Sequence, residues 1–310
     1  MHVMAGLMVD AAGRVLLAER PAGKHLAGYW EFPGGKVEPG EAPLAALARE
    51  LHEELGIELE SAEPLIRVPW QYDDRQLLLD AWRVDRWKGA PQSMEGQALQ
   101  WWEPDRIDPQ SITPADRPIL HALRLPNSYW MTPADVPFDR RDNCLKWMVD
   151  AIQNGVRLLQ LNLPFWPVDS VRELAAALLT DARKRGAKIL LHGDIEGALA
   201  LDVGVHLNQA QSKSISERPL PWQQLVGVSC ADPLQLNRAT EIRADFATLP
   251  PRAAADHPQP SSDEWANLQA VIEKASLPVY ATGTICPQHL AQARQHGAQG
   301  VAGTLLLWPT

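Results

Sequence analysis

Three glutamates stand close enough along the chain to act together on a cation. Glu50, Glu53 and Glu54 are spaced i, i+3 and i+4, so a helix over 44–55 places their carboxylates on one face. Like charges at this spacing repel one another, and a divalent cation held by hard oxygen ligands offsets that repulsion. The spacing therefore predicts a site for Mg²⁺, with Mn²⁺ as a substitute.

The residues around this helix predict how it is held. Before it, Pro39 and Gly40 favour a loop, and Glu41 is set to reach back towards Arg49 in a charge-assisted hydrogen bond. After it, Gly56 is a helix-stop residue. Glu41 and Arg49 are therefore expected to be structural partners within the site.

The segment 35–57 reads GKVEPGEAPLAALARELHEELGI and fills every fixed position of the pattern G-x5-E-x7-R-E-U-x-E-E-x-G-U, with U aliphatic. It is identified as a Nudix box, and residues 2–126 resemble the MutT branch of that family, whose members hydrolyse 8-oxo-dGTP to the monophosphate and pyrophosphate. The resemblance implies an α/β/α sandwich with a mixed sheet. It also suggests Glu50 as general base, assisted by further metal-binding groups, which are Glu53, Glu54, Glu95 and the Gly34 or Gly35 carbonyl.

The same resemblance implies a set of nucleotide contacts, which are Arg20, His25, Phe32, Arg75 and Asp116. Asp116 departs from the family, because the MutT segment P-P-A-N-E-P reads TPADRP here. An asparagine amide offers one donor and one acceptor, whereas an ionised carboxylate only accepts, so Asp116 would repel the O6 of an 8-oxopurine unless protonated. The substrate therefore stays open between 8-oxo-dGTP and a different nucleoside diphosphate derivative.

Length and charge set outer limits on the function. The 310 residues allow two domains, with a Pro-containing boundary that predicts domains at 1–126 and 127–310. A net charge of −9 argues against duplex nucleic acid as a partner. The N-terminus lacks a signal-peptide pattern and no run approaches 18 apolar residues, so a membrane location is not expected. The sequence does not determine the oligomeric state.

Cysteine spacing bears on the compartment. Cys144, Cys230 and Cys286 lie far apart without a C-x-x-C pair, which argues against a disulfide framework or a structural zinc site. A reducing cytoplasm is the expected setting.

Beyond residue 128, short apolar strands alternate with helical segments. The pattern predicts a shortened (β/α)₈ barrel of the TIM type, with some helices trimmed, and with strands at 129–132, 158–162, 188–192, 204–207, 225–229, 246–249, 278–282 and 300–306. In the first domain, the pattern predicts strands at 3–9, 14–18 and 77–84 and a closing helix at 116–125.

This second half resembles thiamine phosphate synthase, but its catalytic residues depart from that family. The family's Q-x-R-x-K reads Gln160-Leu161-Asn162-Leu163-Pro164, and the positions of its magnesium carboxylates fall at about His192-Gly193 and at Gln211. The loop that carries a lysine in the family reads LPPR at 249–252. Without these cations and carboxylates, loss of pyrophosphate has no electrostatic support, so we expect a catalytically degenerate barrel. Residual thiamine phosphate synthase activity and a barrel that senses a phosphorylated small ligand are the alternatives.

Overall fold

A computed structural model describes residues 1–72, 75–251, 260–283 and 287–304. The chain divides into two compact units, Met1–Arg124 and Leu125–Thr310, close to the predicted boundary. Cys286, Arg252 and the last two positions of the predicted strand 300–306 lie outside the described residues. In the part of the chain that the structure describes, no helix is long and apolar enough to cross a bilayer.

The first unit contains two three-stranded sheets. Its elements are β1 His2–Met8, β2 Val15–Glu19, β3 Trp30–Glu31, α1 Pro43–Leu55, β4 Glu58–Gln71, β5 Gln76–Lys88, β6 Leu99–Trp102 and α2 Arg117–Arg124. One sheet has the order β1-β5-β4, in which β5 is parallel to β1 and antiparallel to β4. The other, β3-β2-β6, is antiparallel. The predicted mixed sheet is confirmed.

Alternation along β1 makes this unit a sandwich. Met4 and Met8 belong to a core that includes Leu47 and Leu51 of α1. Ala5 and Leu7 belong to a second core with residues of α2. Because successive side chains of a strand point to opposite faces, β1 contributes to both apolar layers.

The box helix α1 begins and ends at residues suited to those positions. Pro43 is at its first turn, where a missing N–H is tolerated, and Gly56 takes the left-handed conformation, φ 67°, at its C-cap. The Gly56 N–H donates to the His52 carbonyl. The predicted helix is therefore confirmed to within one residue, with its glutamates in the last two turns.

The strand β4 was not predicted from the sequence. Pro64 and Pro69 interrupt its pattern and cannot donate to a sheet ladder. The structure accommodates them because β4 is an edge strand, and its pairing with β5 shifts register between Pro64 and Ile66.

The second unit is a closed barrel of eight parallel strands, in which β14 pairs with β7. Its strands are β7 Ser128–Met131, β8 Leu158–Leu161, β9 Lys188–His192, β10 Gly204–Leu207, β11 Val226–Ser229, β12 Phe246–Leu249, β13 Val279–Ala281 and β14 Gly300–Thr304. The helices are α3 Arg141–Gln153, α4 Val168–Arg185, α5 Ile195–Leu201, α6 Gln209–Ser214, α7 Pro233–Glu241, α8 Ser262–Ile272 and α9 Leu290–Gln295. Every predicted strand overlaps an observed one, and the short α5, α6 and α9 confirm the trimming.

Candidate active site

A cleft of about 390 Å³ in the first unit brings together the predicted substrate contacts. Its lining includes all five predicted nucleotide contacts, which are Arg20, His25, Phe32, Arg75 and Asp116. It also includes Gly34, Gly35 and, of the predicted carboxylates, Glu54. The loop before the box thus connects the predicted nucleotide contacts with the box helix.

Asp116 lies at the inner end of this cleft, immediately before α2. Its carboxylate accepts a hydrogen bond of 2.8 Å from the Thr113 hydroxyl and one from the Phe32 N–H. Burial, followed by the negative charge of Glu31, raises the pKa of Asp116 to about 7. Its carboxyl therefore exchanges its proton near neutral pH, so it can present a donor as well as an acceptor.

Aromatic rings line the same cleft. Phe32 lines the cleft and is also a member of the core behind it. His25 meets Tyr72 edge to face at 5.7 Å, and the Arg75 guanidinium lies 5.6 Å from the centre of the Tyr72 ring. A partly apolar, aromatic lining of this kind suits a nucleobase.

Arg20 and Glu31 form an ion pair in the middle of the cleft. The Arg20 Nε–H also donates to the His25 carbonyl at 2.7 Å, so this arginine holds the loop that carries His25. Burial raises the pKa of Glu31, and the charge of Arg20 opposes that shift.

Glu54, one of the predicted metal ligands, also lines the cleft. Its carboxylate accepts a 3.0 Å hydrogen bond from the Gly34 N–H. Burial raises the pKa of Glu54 to about 7, and the charges of Glu31, Glu95 and Glu50 act in the same direction against the Gly34 hydrogen bond. A nearby cation would relieve this crowding of negative charge.

Arg49 organises the glutamates of the box. Its guanidinium donates two 3.0 Å hydrogen bonds to Glu41, one to Glu50 and one to the Lys36 carbonyl. Arg49 Nη1 also lies 3.5 Å from Glu53. The predicted contact between Glu41 and Arg49 is therefore present, and it fixes the loop against α1.

The four predicted metal-binding glutamates are not gathered into one cluster. The side chain of Glu53 is 56% exposed, and Glu95, 53% exposed, lies 3.7 Å from the ammonium of Lys24. Among the described residues, no three His, Cys, Asp or Glu side chains form a ready metal site. The Gly35 carbonyl accepts from the Met4 N–H, which leaves a second lone pair. Oxygen donors and the charge crowding at Glu54 still fit a hard divalent ion, so the metal site stays a prediction.

Several cleft residues were not predicted from the sequence, among them Glu31 and Tyr72. Glu31 lies just before the box, but its type alone does not separate it from a surface charge. Tyr72 follows β4, a strand that the sequence does not predict. Glu31 belongs to β3 of one sheet and Tyr72 follows β4 of the other, so the two sheets together bring them to the cleft.

In the barrel, buried polar side chains near the strand ends bond to one another. The Tyr129 hydroxyl donates to Gln160 at 2.7 Å and is hydrogen-bonded to His206 at 2.9 Å. His206 is in turn hydrogen-bonded to Ser229, and Gln160 to His192. Burial, followed by the charge of His192, lowers the pKa of His206 to about 3, so its ring is neutral.

The residues that stand where the thiamine phosphate synthase family has magnesium-binding carboxylates make structural contacts instead. The Gln211 side chain donates to the Gly193 carbonyl at 2.7 Å and takes part in the capping box of α6 with Asn208.

Burial, followed by the charge of Asp232, raises the pKa of the Cys230 thiol to about 12, which makes it a poor nucleophile at neutral pH.

The box helix and cleft define the first unit as a Nudix domain, of the class that hydrolyses phosphoric anhydride bonds. Residues 4–122 match the family model described as NUDIX domain, and residues 129–305 match that described as thiamine monophosphate synthase. The chain belongs to the Nudix family through its first unit and to the thiamine monophosphate synthase family through its barrel.

Individual relatives match one unit each. A CTP pyrophosphohydrolase from Escherichia coli is 44% identical over 116 residues, which are 37% of this chain and 86% of the relative. An 8-oxo-dGTP diphosphatase from the same organism is 32% identical over 124 residues, 40% of this chain and 96% of the relative. A putative thiamine-phosphate synthase 2 from Aquifex aeolicus is 30% identical over 187 residues, 58% of this chain and 97% of the relative.

Proposed function

We propose that the first unit is a Mg²⁺-dependent nucleoside triphosphate pyrophosphohydrolase whose leading substrate is 8-oxo-dGTP, released as 8-oxo-dGMP and pyrophosphate. The observation that carries this proposal is the single cleft that contains both Asp116 and Glu54. One end offers a hydrogen-bonding carboxyl among aromatic rings, and the other offers carboxylate and backbone groups beside the box helix. A nucleotide needs both kinds of surface at once.

The protonation of Asp116 supports this substrate class. A neutral carboxyl presents one donor and one acceptor, as the family's asparagine does. The edge of an 8-oxopurine offers the O6 acceptor beside the N7–H donor, whereas the same edge of guanine offers two acceptors. With its pKa raised to about 7, Asp116 is neutral in a large fraction of molecules and can match the oxidised base.

Cytosine nucleotides are the second candidate for the same site. Cytosine places the N4 amino donor beside the N3 acceptor, so it too complements a neutral carboxyl. A relative named CTP pyrophosphohydrolase, 44% identical over the unit, favours this candidate. A Nudix hydrolase acting on a different nucleoside diphosphate derivative remains the alternative if neither base is preferred.

The chain's own residues suggest how the reaction is supported. We assign Glu50 as the proton acceptor, and Arg49, 3.0 Å from it, fixes the direction of its carboxylate. Glu54, Glu53 and Glu95, with the Gly34 or Gly35 carbonyl, would hold the divalent ion. When bound, Mg²⁺ or Mn²⁺ supplies charge stabilisation for the phosphoryl oxygens and lowers the pKa of water. Arg20 keeps Glu31 neutralised where the nucleotide must pass.

The barrel is proposed to be catalytically degenerate. Gln160, His192 and Gln211 are held by neutral hydrogen bonds in place of the family's cations and carboxylates. Rescue of a thiamine-requiring strain by the full chain would contradict this assignment and establish a bifunctional enzyme. A metabolite-sensing barrel would instead change the hydrolase rate when its ligand is added.

The deciding experiment compares kcat/KM for 8-oxo-dGTP, dGTP and CTP in Mg²⁺, with product identification. A preference for 8-oxo-dGTP over dGTP with release of pyrophosphate supports the leading proposal. A preference for CTP moves the assignment to cytosine nucleotides. Equal, slow turnover of all three would overturn both.

A further inference from the structure

Lys24 is a cation at the cleft that neither the box nor the nucleotide contacts account for. It lines the cleft together with Glu54 and Asp116. The chain carries a net charge of −9, so a triphosphate can be retained only by local positive charge. The cleft contains few cations, and each therefore has a role to be explained.

The loop between β2 and β3 fixes where Lys24 can reach. Its base is closed by hydrogen bonds from Arg20 N–H to the Tyr29 carbonyl, 2.8 Å, and from Gly28 N–H to the Arg20 carbonyl, 3.0 Å. Lys24 N–H donates to the Pro21 carbonyl at 3.3 Å, which makes a turn at the loop's far side. The backbone of Lys24 is thus anchored while its side chain is 59% exposed.

The ammonium of Lys24 lies near two carboxylates, Glu95 and the cleft residue Glu31. It lies 3.7 Å from a Glu95 oxygen, longer than the 2.7–2.9 Å typical of a charge-assisted hydrogen bond. Its charge also lowers the pKa of Glu31, so its field reaches the middle of the cleft. In a loose, exposed ion pair of this kind, the ammonium readily exchanges its carboxylate partner for an anion that it binds more tightly.

We propose that Lys24 is a phosphate-binding residue, which leaves Glu95 and contacts the phosphate chain of the substrate when substrate and divalent ion enter the cleft. The inference rests on the proposed function for the presence of a triphosphate. Lys24 pairs with Glu95 in the structure, and on substrate binding it would release that carboxylate to the predicted metal ligands. Lys24 therefore contributes to substrate affinity more than to the chemical step.

The test uses the full chain, Mn²⁺ and inorganic tripolyphosphate, so that it does not depend on the identity of the base. Lys24→Gln is compared with Lys88→Gln, because Lys88 also pairs with glutamates, at 3.5 Å from Glu60, but lies outside the lining of the cleft. We expect Lys24→Gln to weaken tripolyphosphate binding about tenfold or more by titration calorimetry, as for loss of a charged hydrogen bond. Lys88→Gln should bind as wild type does.

A second arm separates phosphate binding from an effect through Glu95. When Lys24→Gln is added to a Glu95→Gln variant, tripolyphosphate binding should still weaken by the same factor as when Lys24→Gln is added to wild type. The Lys24→Gln single variant should also show a rise in KM for a nucleotide that is larger than its fall in kcat. An effect on binding that disappears in the Glu95→Gln variant would overturn the inference, as would wild-type binding by Lys24→Gln or no tripolyphosphate binding by wild type. Lys24-dependent binding without nucleoside triphosphate hydrolysis would sink the proposed function and leave this inference standing.

Discussion

The carboxylate of Glu50 lies against the backbone of Gly35, so closely that a Cβ on Gly35 would be 2.2 Å from the Glu50 carboxyl carbon. Atoms that are not bonded do not approach to this distance, and the glycine therefore makes room for the proposed base. The requirement links the loop before the box to the helix within it.

Gly35→Ala should consequently displace Glu50 and lower kcat by about 10²-fold, near the lower bound for loss of a general base. Folding should survive, because the clash falls on the end of a side chain. Steady-state kinetics and the melting temperature check this. Gly40→Ala is the control for the loop, since nothing lies within 4 Å of a Cβ built on Gly40, although its φ of 83°, unlike the backbone of Gly35, strains an alanine. Equal losses in both variants would point to general loop strain.

The pH dependence of hydrolysis should report Asp116. Its pKa of about 7 means that the neutral form, which matches both candidate bases, is lost as the pH rises above neutral. We expect Asp116→Asn to have kcat/KM similar to wild type at pH 6 and higher than wild type at pH 8.5, because the amide keeps its donor. An Asn variant that loses activity in parallel with wild type above pH 7 would exclude this role.

Stability should depend on pH through the same residue. The pKa of Asp116 rises from 3.8 to about 7 on folding, so the native state holds a proton that the unfolded chain releases. The contribution of Asp116 to the free energy of unfolding is full below pH 3.8 and is lost as the pH rises through 7. The change is on the order of 4 kcal/mol. Calorimetric melting of the full chain at pH 5 and pH 8 should show a smaller decrease for Asp116→Asn than for wild type. The pKa of Glu54 is raised as well, so Glu54 contributes to the decrease in the same direction.

Replacement of Arg49 by lysine should impair both stability and activity. Two 3.0 Å bonds to Glu41 and one to Glu50 use the planar guanidinium, and an ammonium cannot reproduce that geometry. Arg49→Lys should lower both the melting temperature and kcat, by about tenfold for the latter. Arg86→Lys, at an exposed arginine whose Nε–H donates to Ser61, is the control. Unchanged kinetics in Arg49→Lys would remove its proposed positioning role.

Removal of the barrel should separate an accessory from a catalytic contribution. A fragment of residues 1–124 ends where the first compact unit ends, and Leu125, which packs in the barrel core, is left out. We expect it to fold and to keep the kcat/KM of the full chain, measured under the same conditions. A folded fragment without activity would show that the barrel takes part in hydrolysis.

The sequence by itself determined the local features of this protein. The spacing of Glu50, Glu53 and Glu54, the stop at Gly56 and the alternation of short apolar strands with helices each depend on contacts near in the chain. These patterns predicted the box helix, the mixed sheet and the strands of the barrel. Through the family resemblance, the sequence also singled out five residues that line the cleft, although their contact with a nucleotide stays a prediction.

Only the tertiary structure decided how distant groups act on one another. The two sheets bring Glu31 and Tyr72 to the cleft, burial beside Glu31 raises the pKa of Asp116, and the loop places Lys24 next to Glu95. The edge position of β4 also makes Pro64 and Pro69 tolerable in a strand. Burial and charge proximity are properties of folded distances, and residue spacing does not specify those distances between separate elements.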